Sequence, residues 1–79
     1  MWLSGGARVR VTGQGQAVVR GRIVAKLTPE RVRRAVLDVG PPGAGTLDVV
    51  PYGRGFRVRA RGALADPRFL QRVRNVLGN

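Results

Sequence analysis

The chain has 79 residues, enough for one small domain with one core. Fifteen Lys and Arg stand against four Asp and Glu, giving a formal net charge of +11, which favours polyanionic partners: nucleic acid, anionic lipid or acidic protein. The absence of Cys and His excludes disulfides, thiolate metal sites and imidazole chemistry, leaving only oxygen ligands for any metal.

At the N-terminus, "MWLSGG" is too short for a signal peptide and has no leading basic region. Residues 1–6 are expected to be flexible, and Trp2 can pack on a sheet, sit at a membrane interface or be disordered. Residues 7–12, "ARVRVT", alternate Arg8 and Arg10 with Val9 and Val11, the period of a half-buried strand. "GQG" at 13–15 signals a turn, and "QAVVRGRIVA" at 16–25 predicts a second strand. There Val19 and Ile23 join the apolar side, with Arg20 and Arg22 opposite. Thr28 is placed to cap a helix, Pro29 to start it, and Glu30 to complement its positive end. Val32, Ala35, Val36 and Val39 form one apolar stripe; Gly40, Pro41 and Pro42 end the helix. Glu30–Arg34 and Arg34–Asp38 can pair at four-residue spacing.

A similar order follows. "TLDVV" at 46–50 predicts a strand, "PYGRG" at 51–55 a turn holding Tyr52, and "FRVRARG" at 56–62 a strand. Asp66 caps a second helix with Pro67 in its first turn. Phe69, Leu70, Val73, Val76 and Leu77 supply its apolar side, and Gly78 ends it. A shift of 38 positions lays Val9 on Leu47, Val11 on Val49 and Gly40 on Gly78, with a one-residue slip needed to match the second strands. The reading is an α+β fold: one ββαββα domain over 7–79, a tandem repeat with halves 7–40 and 46–79 and linker 41–45. It predicts a four-stranded sheet with both helices on one face.

The run "VRVTGQGQAVVRGRI", the "TPERV" helix start, the basic hairpin and above all "LQRVRNVLGN" at 70–79 resemble a family of small uncharacterised bacterial proteins. In that family a ββαββα domain ends in an Arg-Val/Leu-Arg-Asn-Val-Leu-Gly segment, and many members carry an N-terminal membrane anchor. The resemblance implies a fold and no chemistry. This chain has only Trp2 and Leu3 where the anchor stands, so the expected location is cytoplasmic, or membrane-tethered if a longer native chain supplies an anchor.

Successive side chains of a strand point to opposite sides. Phe56, Val58 and Ala60 therefore share one side and Arg57, Arg59 and Arg61 the other. If the helices cover the apolar side, Arg8, Arg10, Arg20, Arg22, Arg57, Arg59 and Arg61 crowd onto the open side, with Asp48 the one acid among them. A planar guanidinium suits phosphate, so the functional reading is a surface that docks nucleic-acid backbone, DNA or RNA, without an aromatic ladder for stacking bases. Three readings stay open beside it: a merely solvated face, an oligomer contact, and a surface for anionic lipid or an acidic protein. Fourteen of the fifteen cations are Arg, which GC-rich coding yields without selection for binding.

The Gly-x-Gly pairs 13/15, 43/45 and 53/55 lack a following Lys-Ser/Thr and read as hairpin turns or linker. Arg68, Arg72, Arg74 and Asn75 either extend the basic footprint or form a solvated helix face. Without His or Cys, and with the four acids committed to caps and pairs, no catalytic residue, metal site or cofactor is expected. The chain reads as a non-enzymatic binding module. An exposed edge strand and a small core also allow a homodimer.

Overall fold

The computed structural model describes residues 6–78; the N-terminal expectations for Trp2 and Leu3 lie outside the described residues. In chain order the elements are β1 (Ala7–Val11), β2 (Ala17–Gly21), α1 (Pro29–Val39), β3 (Gly45–Tyr52), β4 (Gly55–Gly62), a 3-10 turn (Ala63–Ala65) and α2 (Pro67–Gly78). They form an α+β fold with one antiparallel sheet in the order β2-β1-β3-β4. Val9 sits between Val19 and Leu47, and Ala7 between Gly21 and Val49.

The alternation in β1 is complete: Ala7, Val9 and Val11 are buried, Arg8 and Arg10 exposed. Leu47 and Val49 of β3 and Val58 of β4 join the same side. α1 lays Val32, Ala35 and Val36 against it, and α2 adds Phe69, Val73 and Leu77, in one continuous core. Each such Val or Leu contributes roughly 1.5–3 kcal/mol by leaving water, so this single layer carries most of the fold. No helix among the described residues is long and apolar enough to cross a membrane.

Local chemistry sets the ends of the elements. Thr12 closes the first hairpin, its Oγ1 accepting from the Gln14 and Gln16 amides at 3.3 and 3.2 Å. Thr28 is the N-cap of α1, its Oγ1 accepting from the Arg31 amide at 3.1 Å, with Pro29 opening the helix. Gly40, at φ 90°, ends α1 and donates its amide to the Val36 carbonyl at 3.1 Å. Asp66 caps α2 by accepting from the Arg68 amide at 2.9 Å.

Several expectations need correction. The second strand ends at Gly21, not residue 25, and Ile23 is 65% exposed while Val24 is buried. Gly21 adopts φ 127°, a backbone turn that L side chains resist, and the in-out alternation shifts by one residue beyond it. The expected tandem repeat is not borne out. The first hairpin has strands of five residues and the second strands of eight. Val76, assigned to the apolar side of α2, is 42% exposed. On α1 the ion pair is Glu30–Arg33 at 2.7 Å, spaced three residues apart, in place of the four-residue pairs through Arg34.

Candidate functional site

Pairing and alternation fix where the arginines go. Arg8 and Arg10 project from the side of β1 opposite the core. Arg20 is the cross-strand partner of Arg8, and Val18 that of Arg10, so Arg20 and Val18 share that side. In β3 the partners of Arg10 and Arg8 are Thr46 and Asp48, whose partners in β4 are Arg61 and Arg59. Arg57 stands opposite Val50. Six of the seven expected arginines thus share one exposed face: Arg8, Arg10, Arg20, Arg57, Arg59 and Arg61. Arg22 follows the end of β2, its amide bonded to the Gly6 carbonyl at 3.0 Å, beyond the Gly21 kink that breaks the alternation.

Among the described residues Asp48 is the one carboxylate on this face, flanked across the strands by Arg8 and Arg59. Arg8 holds it with two bonds, Nε to Oδ1 at 2.7 Å and Nη2 to Oδ2 at 3.3 Å. The hydrogen bond to Asp48, and then its charge, raise the Arg8 pKa above its ordinary value. The Asp48 side chain is 17% exposed and that of Arg8 60%, so the carboxylate lies against the sheet while the guanidinium still reaches water. Arg10, Arg20, Arg57, Arg59 and Arg61 make no ion pair with any described residue.

Around this centre the surface is uneven. Arg8, Arg10, Val18, Arg20 and Thr46 line an open depression of about 370 Å³. Three guanidinium groups and a hydroxyl, all hydrogen-bond donors, ring a space large enough for a hydrated phosphate group. At the far end of β3, Tyr52 departs from its expected place in a turn. It is the last residue of the strand, 60% exposed, and the Arg57 guanidinium carbon lies 4.3 Å from its ring centroid. An aromatic ring therefore belongs to the arginine face, where the sequence reading placed none.

The remaining acids are dispersed: Asp66 at the α2 cap, Glu30 beside Arg33, and Asp38 exposed on α1. Among the described residues no group of three or more acids converges in a way that could hold a metal ion. Arg68 and Arg72 border a second depression with Asp66 between the two helices, away from the arginine face. Compared with known proteins, the chain matches no family model, no curated protein and no solved structure.

Proposed function

We propose that the chain is a small non-enzymatic binding module that docks the phosphate backbone of nucleic acid on the open face of its sheet. The observation that carries this reading is the arginine placement. Six exposed guanidinium groups from three strands project to one side, and a single carboxylate answers them. Such a surface gathers a cloud of small anions in water; a polyphosphate chain replaces that cloud and releases its own counter-ions. Binding of this kind reads charge and spacing, so it is largely independent of sequence.

Fluorescence anisotropy of a labelled duplex across a salt series tests the proposal. The expected dissociation constant is of micromolar order near physiological salt, weakening steeply as salt rises. Replacing Arg57, Arg59 and Arg61 together with Gln should weaken binding and flatten the salt slope by about 0.9 per lost phosphate contact. Unchanged binding by that triple variant refutes the face. Sedimentation with anionic but not neutral vesicles, with no binding of duplex or single strand, would reassign the same arginines to a lipid surface.

A further inference from the structure

We propose that this face selects single-stranded over double-stranded nucleic acid, by stacking one splayed base at the Tyr52–Arg57 end of the sheet. The inference rests on the phosphate-docking reading above and adds what the ligand must offer besides charge.

The β3–β4 hairpin is longer than the strands beside it. The last partner of β3 on β1 is Ala7, opposite Val49, while β3 and β4 continue through Val50–Arg57, Pro51–Phe56 and Tyr52–Gly55. Among the described residues Tyr52 thus stands on a two-stranded ribbon that runs past the end of β1, more than half exposed, on the same side as the arginines. An exposed Tyr leaves apolar ring surface in water, so the ring gains by stacking on another flat face. Arg57 lies over the ring at 4.3 Å, which holds it across the face and adds a second planar surface to the stack. A base has the complementary shape on both its sides and stacks on aromatic rings or guanidinium planes without regard to its identity.

Only an unpaired strand can present that surface, because in a duplex the flat sides of the bases are buried in the stack. From Tyr52 to Thr46, on the wall of the arginine-lined depression, the strand runs six residues, or about 20 Å. A single strand lying along the face can stack one base at the hairpin end. Its phosphates then run past Arg57 and Arg59 toward Arg8, Arg10 and Arg20.

The test compares three fluorescein-labelled ligands of equal length by anisotropy at one salt concentration. They are a thymidine single strand of about a dozen nucleotides, an abasic strand with the same phosphates, and a duplex. The wild-type protein should hold the thymidine strand about tenfold more tightly than the abasic strand and more tightly than the duplex, and a duplex bound as tightly as the thymidine strand overturns the selectivity. Tyr52→Leu should erase that difference while leaving affinity for the abasic strand in place, and Tyr52→Phe should keep it. Equal binding of both single strands by the wild type overturns the stacking proposal and leaves phosphate docking standing. Tyr52→Leu weakening both strands alike also overturns it, since a structural role for the ring would do that. Failure to bind any of the three ligands overturns phosphate docking, and this inference with it.

Discussion

Replacing Asp48 with Asn should lower stability and raise polyanion affinity, two effects of opposite sign from one residue pair. The wild-type carboxylate takes two bonds from Arg8 and lies largely out of water, while Arg8 is mostly exposed. That geometry is better than an ordinary surface pair, so its loss should cost about 1 kcal/mol, the upper end for exposed pairs. For a domain of this size the melting temperature should then fall by roughly 4–8 °C. Asn keeps the shape and one acceptor, so the sheet should not rearrange. On the ligand side, the substitution removes the one negative charge of the face and frees the Arg8 guanidinium for a phosphate. One added contact is worth a salt exponent of ~0.7 for a single strand and ~0.9 for a duplex, or about 5- to 8-fold in affinity near 0.1 M salt. Thermal unfolding followed by circular dichroism reads the first effect, and an anisotropy titration at matched salt reads the second. Arg8→Gln is the control: it breaks the same bonds and removes a guanidinium already engaged, so stability falls without a gain in binding. If Asp48→Asn stays folded and its affinity is level or lower, Arg8 and Asp48 do not face the ligand and the placement of the site is wrong.

The connection after β2 offers a test of backbone strain. Ala25 and Lys26 both have positive φ, 48° and 69°, in a two-residue turn closed by Val24 and Leu27 at 2.9 and 2.8 Å. Lys26→Gly should therefore raise the urea midpoint by the equivalent of about 1 kcal/mol, and a lower midpoint would show that the turn is not strained as described. Gly21→Ala should prevent stable folding, since its Cβ would run into the Gly6 carbonyl at φ 127°; a soluble variant with native circular dichroism contradicts the kink. The hydrogen bond from Arg33 holds the Glu30 carboxyl below its ordinary pKa. Its small contribution is present above the unfolded-state value and lost as pH falls through the depressed folded value, so Arg33→Gln should return the Glu30 titration upward in a carbon-13 NMR series. An unmoved midpoint would remove Arg33 as the cause.

Much of this architecture could be read from the residues because the signals are local. "ARVRV" states its two faces outright, and Thr28-Pro29 and Asp66-Pro67 announce helix starts that the caps then realise. The register of the arginines depends only on alternation, so six of the seven land together as expected. Ile23 departs from the expected alternation for a different reason. Gly21 can continue a strand or bend it, and the choice is made by the close approach of Gly6 and Ala7 across the sheet, a contact with no local signature. Tyr52 was misplaced because Pro-Tyr-Gly has turn chemistry; pairing with β4 extends the strand through it. Leu64, wholly buried in the 3-10 turn, fits neither a two-residue nor a 3.6-residue period, so pattern alone could not find it.

The arginine face also works against the fold that carries it. Arg8 and Arg20 are direct cross-strand partners, and Arg57, Arg59 and Arg61 follow at alternate positions of β4. Side chains on opposed strand positions lie roughly 5 Å apart at Cβ, well inside the ~10 Å screening length of 0.1 M salt, so their repulsion is felt in the folded state. Two ion pairs among the described residues do little to offset it. Added sodium chloride should therefore raise the urea midpoint, and Arg20→Gln should reduce that gain, since it removes the cation that stands opposite Arg8. A midpoint that falls with salt would mean that attraction outweighs repulsion on this face. Salt and ligand then act on the same charges with opposite consequences for binding: salt quiets the repulsion and competes, whereas a bound polyphosphate quiets it and stays. At a hundredfold excess over its dissociation constant, such a ligand stabilises the fold by about 2.7 kcal/mol, a large share of the margin a small core provides.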